Sequence, residues 1–371
     1  MHASLESEST TRCATNQCPK TYTVPLDIVC IIVSFSEPRD VRSLSLLNHD
    51  CNAEANKLLW RNVHLQIRSR LYTEDARKAF EGFCDAITRI PQRAYSIRSL
   101  RITIKGSLWH KLEDPGLLAH SLSKLGRALS CTRHLQVLQI FPRHHLRDIG
   151  LALSSTSPSV QLPNLHTFES VISFADGLER FMSESCPSVK TYRISGTGAL
   201  HCARDFPSHI FPHLTAYSGT SIFLSNVLKY RPVYNVDCIN SIPRSGIADL
   251  VQGLRSSSVP ITELSINVSL GDDGRQEENA PDAEVQLLGL LAEAAPSLRI
   301  FELFSHGQYD DDQLSEVAIV RFASALGRLE ELERFSWWDA RGPRWGKRFT
   351  RLCKKECPSL RKVILNGVLL E

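Results

Sequence analysis

Cys357-Pro358-Ser359-Leu360-Arg361-Lys362-Val363-Ile364-Leu365, near the end of the chain, is the third appearance of one phrase. The earlier two are Cys186-Pro187-Ser188-Val189-Lys190-Thr191-Tyr192-Arg193-Ile194 and Ala295-Pro296-Ser297-Leu298-Arg299-Ile300-Phe301-Glu302-Leu303. Each sets a small residue, proline and serine before the pattern hydrophobic-x-x-hydrophobic-x-hydrophobic. The last four residues of that pattern alternate with a period of two, which is how a short, half-buried strand reads.

Outward from these three, the apolar pattern recurs at Ile97, Leu100, Ile102 and at Leu135, Leu138, Ile140. It is degenerate at Leu165 with Phe168 and at Leu214 with Tyr217, and weak at Val233 and Val236. It is clear again at Ile261, Leu264, Ile266 and at Leu332, Phe335, Trp337. Leading positions 135, 165, 189 and 214 give steps of 30, 24 and 25 residues, and 298, 332 and 360 give steps of 34 and 28. Those steps fall near or above the leucine-rich period of about 20 to 29 residues. Between the copies, 75–90, 117–129, 284–294 and 314–326 carry apolar residues at helical spacing. The repeating unit is therefore strand, loop, helix. The fold class expected is α/β: an irregular leucine-rich-repeat solenoid over about 97–365, with a parallel sheet inside and helices outside. Such units bury their apolar faces only against neighbours, so the residues before Ile97 are expected to cover the first end.

The chain divides into a polar tail at 1–20, a helical segment at 21–65 and the solenoid at 66–371. The tail is too poor in apolar residues to offset the entropy of ordering. In the segment, Pro25 suits a first helical turn, and Ile28, Ile31, Ile32 and Phe35 recur on one face. A break follows at Ser36-Glu37-Pro38. Asp40 reads as an N-cap, Val41, Leu44 and Leu47 continue an apolar stripe, and a last apolar run ends at Leu58, Leu59 and Trp60.

Val24-Pro25-Leu26-Asp27-Ile28-Val29-Cys30-Ile31-Ile32, then Asp40-Val41-Arg42-Ser43-Leu44-Ser45-Leu46-Leu47-Asn48, then Leu58-Leu59-Trp60-Arg61-Asn62-Val63 resembles the F-box motif. It is most similar to the divergent F-boxes of fungal proteins with degenerate leucine-rich repeats. Val24 stands where a leucine is usual, Asp27 where a glutamate is usual, and Cys51 where a tryptophan is common. The resemblance implies a three-helix segment that inserts into the adaptor subunit of an SCF-type cullin–RING ubiquitin ligase, and through it reaches the cullin. The repeats would then select the protein to be ubiquitinated. The adaptor-binding residues expected are Val24, Pro25, Leu26, Ile28, Ile31, Ile32, Leu44, Leu47 and Trp60. Apolar anchors at three-and-four spacing laid into a groove are a recurrent docking mode. The alternative for this stripe is the internal core of a small bundle.

Composition narrows the function classes. Lys and Arg number 43 against 40 Asp and Glu, a formal charge of +3, which is not the one-sided balance of a nucleic-acid binder. No apolar run is long enough to span a bilayer, and 1–16 has no apolar signal core, so an intracellular protein, cytoplasmic or nuclear, is expected. The 11 cysteines are odd in number and scattered, as reduced thiols in a reducing compartment would be. Cys13 with Cys18 and Cys353 with Cys357 lack second pairs at finger spacing, so no metal is expected. Gly-x-Ser-x-Gly, His-Glu-x-x-His and phosphate-loop signatures are absent, and no cofactor or catalytic residue is assigned. Ser195-Gly196-Thr197-Gly198 reads as a turn, while His144-His145 with Asp148 and Tyr309-Asp310-Asp311-Asp312 read as solvated loops or caps. The basic segment from Arg341 through Arg344, Trp345, Lys347 and Arg348 to Arg351, Lys354 and Lys355 has two readings. It contacts an acidic or phosphorylated partner, or it is a solvated flank of the last repeat with Trp345, Phe349 and Leu352 turned inward.

In a strand of period two, the residues between the buried ones line the concave face of the array. That row reads Arg101, Gln139, Glu169, Arg193, Ser218, Ser265, Glu302 and Ser336, and the next position gives Thr103, Phe141, Ser195, Asn267, Phe304 and Trp338. Arg101, Arg193, Glu302, Phe304 and Trp338 are the expected substrate-binding residues, with the two aromatics as anchors. A slip of one residue would bury them instead. The function expected is a non-enzymatic substrate receptor, and the alternative is a repeat scaffold whose helical segment recruits no ligase.

Overall fold

A computed structural model describes residues 25–68, 74–105, 115–142, 149–150, 153–154, 160–171, 178–194, 206–269, 280–305, 316–339 and 346–370. The chain forms two compact units, Met1–Leu59 and Trp60–Glu371.

The first unit holds three helices, α1 (Leu26–Phe35), α2 (Pro38–Leu44) and α3 (His49–Leu59). α1 starts one residue later than expected, with Pro25 in the N-cap position and its carbonyl accepting the Val29 amide at 3.1 Å. Asp40 is not an N-cap. It sits in the first turn of α2, because Pro38, with its fixed φ, already opens that helix after Glu37. Asn48 caps α3, its side-chain oxygen accepting the Cys51 amide at 2.8 Å. The core is small: Val29, Val33, Val41, Cys51 and Ala55, with Leu44, Leu58 and Leu59 packed against it.

The second unit is an α/β leucine-rich-repeat array. Twelve strands among the described residues form one sheet in chain order, and every neighbouring pair but the last is parallel. They are β1 (Asn62–Arg68), β2 (Ser99–Lys105), β3 (Val137–Pro142), β4 (Thr167–Ser170), β5 (Thr191–Ile194) and β6 (Ala216–Gly219). β7 (Asn235–Pro243), β8 (Glu263–Ser269), β9 (Ile300–Ser305), β10 (Arg334–Asp339), β11 (Lys362–Leu365) and β12 (Val368–Leu370) follow. The expected helices are present at Glu74–Arg89, Pro115–Cys131, Ala280–Ala294 and Glu316–Gly327.

The recurring phrase is a turn. The amide of the leading residue donates to the carbonyl three residues back, as Val189 to Cys186, Leu298 to Ala295 and Leu360 to Cys357. Proline therefore takes the second turn position, where its φ is already correct. The residue that opens the turn, Cys186, Ala295 or Cys357, is buried, so it must be small. The next two amides both reach the carbonyl of the preceding repeat, as Arg299 and Ile300 reach Thr262. That bond sets the register, and the three apolar positions of each copy then face one core.

The sheet begins one strand earlier than expected. Trp60-Arg61-Asn62-Val63-His64-Leu65 is itself a copy of the motif, with Val63 opposite Leu100 and Leu65 opposite Ile102. Residues 60–65 thus belong to the array, and the boundary falls after Leu59 rather than after 65. The weak copy at Val233 and Val236 leads the longest strand, β7, whose pairing with β8 shifts between Cys238 and Ser241. The last strand is antiparallel. Asn366 and Gly367, at φ 49° and 81°, make the two-residue turn that joins β11 to β12.

In the middle of the array the covering helices shorten to Glu179–Ser185 and Leu224–Lys229, and aromatic residues replace leucine at the central motif position: Phe168, Tyr192 and Tyr217. Phe168 and Tyr192 stack with centroids 5.9 Å apart. Nearby, Arg231 is wholly buried yet held by carbonyl oxygens of Pro207, Ile210, Asn226 and Val227, with Phe206 4.5 Å below its guanidinium. Burial lowers its pKa to about 10. No helix among the described residues is long and apolar enough to cross a membrane.

Candidate functional site

On α1, Val29 and Val33 point into the core of the first unit, which leaves the i, i+3, i+4, i+7 stripe of Ile28, Ile31, Ile32 and Phe35 exposed. Leu26, Leu46 and Leu47 are exposed as well; Phe35 is 88% and Leu47 68% accessible. Leu44 is half-buried and Pro25 is exposed, while Val24 lies outside the described residues. Trp60 is placed elsewhere, in the repeat array, stacked 6.3 Å from Phe83 with Arg93 4.8 Å above its ring. The expected adaptor-binding residues thus divide between the two units. Ile28, Ile31, Ile32 and Phe35 share one apolar face of α1 that the five-residue core does not use, and Leu26 and Leu47 are exposed as well.

The open face of the sheet follows from strand alternation. His64, Arg101, Gln139, Glu169, Arg193, Ser218, Asp237, Ser265, Glu302 and Ser336 form one unbroken register row. His64 and Asp237 are the members that the sequence reading missed, because the copies around them are degenerate. Along the row, Gln139 donates to Glu169 at 2.6 Å and Ser218 to Asp237 at 2.8 Å. Arg101 and Arg193 are exposed, with the Arg101 guanidinium 4.8 Å over the Phe141 ring. Three strands lie between β5, which carries Arg193, and β9, so at about 4.8 Å per strand the arginines and the aromatic pair do not make one compact site.

Glu302, Phe304 and Trp338 do come together. Phe304 and Trp338 are register partners whose rings stack at 5.7 Å, only 6° from parallel. The slip that would have buried them is excluded, since Phe301, Leu303 and Ser305 are the buried members of β9. Glu302 accepts from Arg334 at 2.8 Å. On the same strand as Trp338, Ser336 Oγ and Arg334 Nε are buried with no hydrogen-bond partner among the described residues. On the next strands the face continues with Ile364 and Leu369, which are register partners, and Gly367, where an added Cβ would lie 3.2 Å from the Trp338 ring. The Asn366-Gly367 pair between apolar runs was the available signal for this extension.

Among the described residues no group of three or more His, Cys, Asp or Glu is placed to hold a metal. Cys353 and Cys357 are both buried, the Cys357 thiol within 3.5 Å of the Leu329 carbonyl, and burial pushes the Cys353 thiol well up from its ordinary pKa. His144, His145, Asp148, Ser195, Gly196, Thr197, Gly198, Tyr309, Asp310, Asp311, Asp312 and 340–345 lie outside the described residues, as do Cys13 and Cys18.

No family model matches the sequence, and no curated protein matches it. Among solved structures, the leucine-rich repeat-containing protein LegL7 from Legionella pneumophila is similar over 84% of this chain and 92% of its own length, at 11% identity and a TM-score of 0.43.

Proposed function

We propose that the protein is a substrate receptor of an SCF-type cullin–RING ubiquitin ligase. The helices α1 to α3 dock the ligase adaptor, and the open face of the repeat array holds the protein to be ubiquitinated. The observation that carries this reading is the exposed row Ile28, Ile31, Ile32 and Phe35, with Leu46 and Leu47 exposed on the same unit, whose own core needs only Val29, Val33, Val41, Cys51 and Ala55. A surface of that apolar content on so small a unit favours a protein partner. The F-box resemblance of the same residues names the partner as the ligase adaptor. The array would contribute recognition rather than chemistry, with no catalytic residue, metal or cofactor. The target would be a protein, with neither nucleic acid nor membrane required.

Co-purification with the adaptor subunit tests this. The wild type should retain the adaptor, and Ile28→Asp with Ile32→Asp should release it, because each puts a charge on the apolar contact without entering the core. Retention by the double variant overturns the assignment of this surface. The alternative is a repeat scaffold that recruits no ligase, favoured by Cys51, a small buried side chain where the motif commonly carries tryptophan. Failure of the wild type to bind any adaptor selects it.

A further inference from the structure

The Gly346–Glu356 helix carries Lys347, Arg348, Arg351, Lys354 and Lys355 against a single carboxylate, Glu356. That is an excess of four positive charges in 11 residues, where the whole chain has a formal excess of three. The charge is fixed in direction, because Phe349, Thr350 and Cys353 on the opposite side are buried in the array. Lys347, Arg348, Arg351 and Lys355 are exposed and fall within one third of the helix circumference, a stripe about 12 Å long. Lys355 has Glu356 3.7 Å away, an exposed pair that neutralises little.

The neighbouring Glu316–Gly327 helix meets this one where a Cβ on Gly327 would come 2.5 Å from the Glu356 carbonyl oxygen. Val317, Val320 and Ser324 lie at helical spacing with Gly327, on the side of their helix that meets the Gly346–Glu356 helix. Val317 and Val320 are exposed, Val320 at 45%. The outer surface therefore joins an apolar strip to a cationic one.

We propose that this surface binds an acidic amphipathic helix of a partner protein, its carboxylates on Lys347, Arg351 and Lys355 and its apolar residues on Val317 and Val320. Charge complementarity demands an anion, and the apolar strip alongside demands more than a phosphate. A stripe of about 12 Å offers too few cations for the six to ten phosphate contacts of a typical duplex binder. A lipid surface is disfavoured because the large apolar side chain of the basic helix, Phe349, is locked in the core and cannot insert. The site uses none of the residues assigned to the proposed ligase role and stands without it.

The test uses the full chain and four probes: a Glu/Leu peptide patterned as an amphipathic helix, its scramble, a short DNA duplex, and phosphatidylserine-containing vesicles. The patterned peptide should bind at least about tenfold more tightly than the scramble, more weakly as salt rises. Lys347→Glu with Arg351→Glu and Lys355→Glu should weaken it at least about tenfold, and Val320→Asp at least about threefold, with an unchanged melting temperature. Neutral Arg351→Gln with Lys355→Gln gives the same direction should the reversed triple variant fold poorly. No binding of the patterned peptide, equal binding of the scramble, tighter binding of DNA or vesicles, or indifference to the variants overturns the proposal.

Discussion

Phe304 and Trp338 stack in parallel because they are partners on adjacent parallel strands, one position beyond Leu303 and Trp337, which the core holds. The alternation that buries those neighbours turns the two rings outward together. Trp338 keeps 38% of its surface accessible, and its far edge rests against the Gly367 turn. The shelf is thus fixed from both sides before any partner arrives, so a partner need not order it on binding.

Truncating the shelf should remove an anchor without removing a support of the fold. Phe304→Ala and Trp338→Ala should each weaken a target protein by about 2 kcal/mol or more. Titration calorimetry with a target captured through the adaptor complex measures the loss, and circular dichroism should report an unchanged fold. Binding that survives both changes but collapses with Arg348→Glu moves target recognition to the basic helix.

Leu298 opens the repeat whose strand is β9, and it is wholly buried. Leu298→Asp places an unpaired carboxylate in the stacked core and should cost several kcal/mol even after relaxation. Thermal unfolding should show a fall of many degrees. An unchanged transition would mean that the leading motif residue does not carry the packing assigned to it.

Much of this was legible because the array repeats one small decision. The Cys-Pro-Ser-Val, Ala-Pro-Ser-Leu and Cys-Pro-Ser-Leu phrases name the turn, and Phe301 and Leu303 name the buried face that places Phe304. Trp60 was misassigned because the same residue can end a helical segment or lead a strand, and only pairing of Val63 with Leu100 decides. Arg231 was illegible for another reason. Its carbonyl partners come from residues that look unremarkable in sequence and meet only when the chain turns back at 207–210.

That burial gives Arg231 a testable signature. Arg231→Lys keeps the charge but presents a single ammonium to carbonyls that a planar guanidinium reaches in several directions at once. The replacement should cost about 2 kcal/mol or more, since buried carbonyls lose donors. Chemical denaturation measures this through the midpoint at constant slope. A stability within about 0.5 kcal/mol of wild type would show that water or rearrangement replaces the guanidinium.

Acid should weaken the first end of the array through Glu81. Its carboxyl joins the Glu74–Arg89 helix to the Pro115–Cys131 helix, accepting from Ser121 at 2.7 Å, Arg77 at 2.7 Å and Lys124 at 3.2 Å. Partial burial favours the neutral acid, but these three donors outweigh it and hold the pKa near 2, below the ordinary carboxylate value. A carboxylate with a depressed folded-state pKa binds its proton more readily when unfolded. Its contribution is therefore complete above about pH 4.5, shrinks as the pH falls from there, and is gone below about 2. Glu81→Gln removes the charge while keeping the shape, so the variant should be less stable than wild type at pH 7, and the gap should narrow steadily toward pH 2. Melting curves of the two proteins across that range decide the matter, and a gap that stays constant with pH would place the stabilisation in packing rather than in the charge.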